Sequence, residues 1–151
     1  MNCTLHSHCA GDQALPKALQ KEIEAAIKAI TVKPAPGTAT KLRDAFLAHL
    51  KSSGWSSKVA VSMDSDMTIT SMKDNAGLCM QTGNMARMYA DLIKLQTMYL
   101  DNAIKSAAIV LPSQPMAALL GDNIAQATRL ERELAIFRKA YHVPTLIFAL
   151  E

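Results

Sequence analysis

The stretch GLCMQTGNMAR, residues 77–87, is the most informative part of this chain for predicting its fold. Its first part is an apolar segment, which predicts a short β-strand, and Gly83 with Asn84 predicts the turn that ends this strand. From Met85 onward, apolar residues recur at helical spacing as far as Tyr99. The stretch therefore predicts a strand that leads directly into a long amphipathic helix.

The segments on either side predict an α/β domain around this strand. The predicted strands are KVAVSM (58–63), MTITSM (67–72), GLCMQT (77–82), SAAIVLP (106–112) and TLIFAL (145–150). The predicted helices lie at residues 15–30, 41–54 and 85–99, and from Asp122 or Asn123 to about His142. The first three strands are joined by turn-forming residues and are expected to form an antiparallel meander. Residues 1–13 are expected to be a loose leader, and residues 14–151 a single domain.

Composition sets broad limits on function. The 151 residues are 50% apolar and carry a net charge of +3, which permits a nucleic-acid partner without requiring one. No apolar run approaches the roughly 20 residues of a membrane span, and the N-terminus shows no secretory signal. Three cysteines at irregular spacing do not make a disulfide framework, so a reducing cytoplasm is the expected location.

The order of elements after the first helix resembles that of the restriction-endonuclease-like, or PD-(D/E)xK, superfamily. The string GLCMQTGNMARMYADLIKLQTMYLDNAIKSAAIVLPSQ is similar to the end of the catalytic core in BglII/BamHI-type restriction endonucleases. There, a strand ending in E-x-Q or E-x-K leads through a turn into a helix with Asp-Leu-x-Lys spacing. LRDAFLAHLKSSGWSSKVAVSM also resembles that group, so the resemblance covers roughly residues 40–150. It implies a central mixed sheet of about five strands flanked by helices.

The resemblance also implies a site in which two carboxylates hold Mg²⁺ beside the scissile phosphate and a lysine or glutamine orients water. Gln81 keeps the glutamine position, whereas Cys79 stands at the glutamate position and Thr70, nine residues earlier, at the aspartate position. On this alignment both metal-binding carboxylates are replaced, and no metal or other cofactor is expected unless the chain is active. A displaced acid, Asp66 or Asp74, is the alternative, although both also suit ordinary turns.

Basic and polar residues predict a surface for DNA or another partner. The candidates are Asn84, Arg87, Lys94, Arg129 and Arg132. Glutamates between the arginines of the last helix favour ordinary solvation or a protein interface instead. Asp91 and Lys94 lie three residues apart and are interpreted as a surface ion pair across one helical turn.

The cysteines and histidines offer two further candidates. Cys3, His6, His8 and Cys9 are residue types that bind zinc, but their spacing is cramped, and a flexible or partly packed tail is the simpler interpretation. Cys79 is expected to be a buried structural cysteine, because no base is visible near it in sequence.

Three functional hypotheses follow. The first is a catalytically inactive relative of a type II restriction endonuclease that acts as a DNA-binding or regulatory module. The second is a protein-interaction factor, such as an inhibitor of a nuclease or defence complex. The third is an active Mg²⁺-dependent endonuclease that uses a displaced acid with Gln81. A homodimer is also expected, because helical faces in this fold often pair protomers.

Overall fold

A five-stranded mixed sheet lies at the centre of the computed structural model, which describes residues 1–151. The strands are β1 (Cys3–His8), β2 (Val59–Ala60), β3 (Thr68–Ile69), β4 (Ser71–Lys73), β5 (Ala76–Met80), β6 (Ser106–Pro112) and β7 (Thr145–Leu150). The helices are α1 (Gly11–Ala14), α2 (Lys17–Lys28), α3 (Ala39–Ser52), α4 (Met85–Leu100), α5 (Gln114–Leu120) and α6 (Ala127–Ile136), with a 3₁₀ turn at Phe137–Lys139. The order in the main sheet is β1-β7-β6-β5-β4, and β2 pairs with β3 in a separate hairpin.

Helices cover both faces of the sheet and create two apolar cores. On one face, α2 and α3 pack Ile23 and Phe46 against the sheet, while on the other face α4 and α6 contribute Met88 and Leu130. The central strands β5, β6 and β7 run parallel and are buried on both faces, which is why their sequences are almost continuously apolar. The expected five-stranded mixed sheet flanked by helices is confirmed. None of the helices has the length and apolar character needed to cross a membrane.

The prediction of a loose leader at residues 1–13 is wrong. Residues 3–8 form the edge strand β1, which pairs antiparallel with β7 from Cys3 opposite Leu150 to His8 opposite Thr145. The helix that follows begins at Gly11, whose Cα lies so close to β7 that an added Cβ would be 2.1 Å from the Thr145 carbonyl. This strand is half exposed and polar, so its sequence lacks the apolar run that marks a buried strand.

The prediction that residues 58–63, 67–72 and 77–82 form one antiparallel meander is also wrong. Residues 58–63 contribute only β2, which lies outside the main sheet, and residues 67–72 divide between β3 and β4. The sheet still has five strands because β1 takes the place of the segment at 58–63. Residues 114–120 form an additional helix that the sequence did not predict, and the last helix is shorter than expected.

The N-terminal cysteines and histidines do not form a zinc site. Alternation along β1 places Cys3 on the opposite face from His6 and His8. His8 is buried, and its Nε2 lies 3.0 Å from the carbonyl oxygen of Tyr141. Nowhere in residues 1–151 do three His, Cys, Asp or Glu side chains gather as metal ligands.

Candidate anion-binding cleft

A polar cleft of about 320 Å³ opens where β5 ends and α4 begins. Its walls come from α3, from α4 and from the β2–β3 region. The polar side chains that line it are Arg43, Lys58, Thr68, Thr70, Gln81, Arg87, Asp91 and Lys94. Residues 77–87 therefore also supply part of the lining of this polar cleft, through Met80, Gln81 and Arg87.

Two of the three motif positions predicted from the sequence, Thr70 and Gln81, line this cleft. Thr70 lies in its wall, and its Oγ1 accepts a hydrogen bond from the Met80 amide at 3.0 Å, which holds this segment against the end of β5. Gln81 lies on the floor. Cys79 faces the same side of the strand as Gln81 but is only 1% exposed and packs into the α4 core.

The Cys79 thiol is therefore not a reactive group. Burial raises the pKa of Cys79 far above its ordinary value, and the charge of Asp91 raises it further. Such a thiol stays protonated near neutral pH and is neither a nucleophile nor a metal ligand. The expectation of a buried structural cysteine is confirmed.

Asp91 is the only carboxylate of the cleft, and both of its oxygens are engaged. The Gln81 Nε2 donates to Oδ2 at 3.1 Å, and the Lys94 ammonium donates to Oδ1 at 3.1 Å. The ion pair predicted between Asp91 and Lys94 is thus confirmed, and it lies in the lining of the cleft. The side chain of Asp91 is 12% exposed, because the helix turns it toward the cleft beside buried Met88 and Leu92.

Three of the four cations in the cleft have no carboxylate partner. The ion pairs of the chain involve other residues, which leaves Arg43, Lys58 and Arg87 unpaired. Four positive side chains against one carboxylate give the cleft a net charge of +3. This equals the net charge of the whole chain, so the modest overall value hides a concentrated patch.

The other predicted site residues lie elsewhere. Asn84 caps α4, since its Oδ1 accepts from the Ala86 amide at 2.8 Å. Arg129 is on α6, where it is paired with Glu133 at 2.7 Å, and Arg132 is exposed on the same helix. A single basic face that joins these arginines to Arg87 and Lys94 therefore does not form in the cleft.

The two displaced acids also fail to reach the cleft. Asp66 is exposed in the β2–β3 connection and is not among the lining residues. Asp74 is in the β4–β5 turn with a φ of 47°, at the start of β5, whereas Gln81 follows the end of that strand.

Arg43 and Lys58 were not among the predicted site residues, and they are 15 residues apart on different parts of the fold. Neither belongs to a motif, and nothing in the sequence indicates that they face the same cleft as Arg87. Only the packing of α3 and the β2–β3 hairpin against α4 and β5 brings them together.

The donor set does not fit a divalent metal ion. Mg²⁺ prefers several oxygen ligands, with one or more free carboxylates among them. The cleft offers one carboxylate that already accepts hydrogen bonds from an amide and an ammonium, together with the hydroxyls of Thr68 and Thr70. Its unpaired cations instead fit an anion, and phosphate is the anion that several arginines and lysines bind well.

Comparisons with known proteins agree with this fold. The model of the restriction endonuclease BglII/BglIII family matches residues 3–150. Restriction endonuclease BglII complexed with a DNA 16-mer has a TM-score of 0.88 at 14% identity, covering 100% of this chain and 78% of that one. Free BglII has a TM-score of 0.73 at 16% identity, covering 100% of this chain and 80% of that one. No curated protein matches the chain.

Proposed function

Because the chain belongs to the restriction endonuclease BglII/BglIII family, we propose that it is a non-cleaving member that binds DNA through its cleft. The observation that carries this proposal is the charge of the cleft. Arg43, Lys58 and Arg87 are unpaired, and the single carboxylate beside them is already neutralised. The phosphates of a DNA backbone would form ion pairs with these side chains and neutralise their charge.

Two further facts support the proposal. The structure of a family member, BglII, contains bound DNA. On the alignment that the resemblance implies, Thr70 and Cys79 stand at the positions of the metal-binding acids, and this supports the proposal that the chain does not cleave DNA through a metal-bound hydroxide. Binding is therefore expected to be governed by phosphate contacts and to carry little information about base sequence.

The test is fluorescence anisotropy of a labelled duplex in EDTA at about 50 mM salt. Arg43→Ala with Arg87→Ala is expected to weaken binding on the order of 10²-fold, because two phosphate contacts are lost. Arg129→Ala with Arg132→Ala removes the same charge from α6 and serves as the matched control. An equal loss in the control would show that the cleft is not the binding surface.

A second surface favours association with another protein, and we propose that the partner is a second copy of this chain. An apolar groove of about 530 Å³ lies between α4 and the 3₁₀ turn. Ile93 and Leu100 border it, are 69% and 68% exposed, and are seven residues apart on one face of α4. A stripe with heptad spacing can pack against its own copy about a twofold axis.

The oligomeric state tests this second proposal. Sedimentation should give a dimer for the native chain and a monomer for Ile93→Asp with Leu100→Asp. A native monomer at all concentrations would refute it.

The three free cysteines suit a reducing cytoplasm, which we propose as the location.

A further inference from the structure

Lys94 lies beside the one carboxylate of the cleft, where a divalent cation would otherwise bind. Its ammonium lies 3.1 Å from Asp91 Oδ1, one helical turn away, and its side chain is 22% exposed toward the cleft. An ammonium group has three N–H donors, and this ion pair is the only hydrogen bond that the Lys94 side chain makes. Two donors therefore remain for a ligand that enters the cleft.

Gln81 donates a hydrogen bond to the second oxygen of the Asp91 carboxylate. Its Oε1 accepts the Gly83 amide at 3.1 Å, so its Nε2 is directed to Asp91 Oδ2. Gln81 thus acts as a donor to the carboxylate and does not offer its oxygen to a metal or a water molecule. Asp91 is locked between an amide and an ammonium before any ligand arrives.

We propose that Lys94 is a tethered replacement for a divalent cation, so that this cleft binds backbone phosphate without metal. This inference rests on the proposed DNA-binding function of the same cleft. The ammonium neutralises Asp91 and donates its remaining N–H groups to a phosphate oxygen beside the unpaired arginines. A divalent ion that binds Asp91 Oδ1 must compete with the Lys94 ammonium, which the chain tethers one helical turn away.

The inference predicts what removal of the ammonium does. In Lys94→Gln, the carboxylate of Asp91 faces the incoming phosphate without a counter-charge, and one phosphate donor is lost. Binding in EDTA should fall roughly tenfold at low salt. Mg²⁺ should then restore part of this loss, because a free carboxylate oxygen is now available to it.

The experiment compares duplex binding in EDTA and in MgCl₂ at matched ionic strength, together with calorimetric titration of MgCl₂ into protein alone. The native chain should bind DNA equally in both buffers and take up no Mg²⁺, and Lys94→Arg should behave in the same way. Lys105→Gln, an exposed lysine outside the cleft, is the matched charge control. Asp91→Asn with Lys94→Gln removes both charges and should lose the response of the single variant to Mg²⁺.

The outcomes separate the two proposals. Absence of duplex binding by the native chain at low salt would refute the DNA-binding function itself. Native binding that Mg²⁺ strengthens, or Mg²⁺ uptake by the native protein, would overturn the role of Lys94 and leave DNA binding intact. A Lys94→Gln chain that binds like Lys105→Gln in both buffers would also overturn it. If the glutamine variant does not fold, the calorimetric titration of MgCl₂ into the native chain still decides the question, because uptake of Mg²⁺ would overturn the role of Lys94.

Discussion

The dependence of DNA affinity on salt gives a quantitative test of the cleft, because its charge count can be read from the structure. Arg43, Lys58 and Arg87 are unpaired, while Lys94 and Asp91 offset each other, so about three phosphates are neutralised per bound chain. Each neutralised phosphate contributes a slope of about −0.9 to the plot of log affinity against log salt. The expected slope is therefore about −2.7, which corresponds to a loss of roughly fortyfold between about 50 and 200 mM salt.

The same count predicts the behaviour of a variant. Arg43→Ala with Arg87→Ala leaves one unpaired cation, so the slope should fall to about −0.9 and the loss over the same range to about three- to fourfold. Anisotropy titrations at four or more salt concentrations measure both slopes. If the variant keeps the native slope, or if Arg129→Ala with Arg132→Ala reduces it instead, the reasoning from the cleft is refuted.

Three other perturbations have defined outcomes. Gly11→Ala should lower the free energy of unfolding by about 3 kcal/mol in denaturant titrations, because its Cβ would overlap the Thr145 carbonyl; native stability would contradict this packing of β1. Thr70→Asp with Cys79→Glu should gain Mg²⁺ binding, seen as a Tm that rises with MgCl₂, and a folded variant without that rise would refute their assignment to the metal-ligand positions. Because burial raises the pKa of Cys79, the stability that its neutral thiol contributes is fully present below about pH 8.5 and is lost as pH rises through its folded pKa. Above about pH 8.5, the free energy of unfolding of the native chain should therefore fall by about 1.4 kcal/mol more per pH unit than that of Cys79→Ala. Equal declines in the two proteins would contradict the burial of Cys79.

The central part of the fold could be predicted because local pattern and tertiary environment agree there. β5, β6 and β7 are buried on both faces, so their apolar runs are visible in the sequence, and the helical period of α4 marks its buried side. β1 could not be predicted because it is an edge strand with half-exposed polar residues and its partner, β7, is at the other end of the chain. The prediction that residues 58–63 form a strand of the main sheet was wrong because alternation alone does not determine which strand a segment pairs with.

The site was predictable only in part, for similar reasons. Thr70 and Gln81 were placed by their resemblance to a motif, and strand alternation keeps Gln81 and Cys79 on one side. Asp91 and Lys94 have the same i, i+3 spacing in a surface pair and in a cleft, so sequence could not tell which applied. Arg43 could not be predicted as a cleft residue because its place in the lining depends on how α3 packs, which no local sequence pattern encodes.

A combined binding and cleavage assay distinguishes a chain that binds DNA without cleaving it from an active endonuclease. A labelled duplex is incubated with Mg²⁺ at a protein concentration where anisotropy shows it to be fully bound, and the strands are then separated on a denaturing gel. If the chain binds DNA without cleaving it, the DNA should be bound and intact with the native chain and with Asp91→Asn alike. Cleavage by the native chain that Asp91→Asn abolishes would contradict this expectation and would identify Asp91 as a working acid.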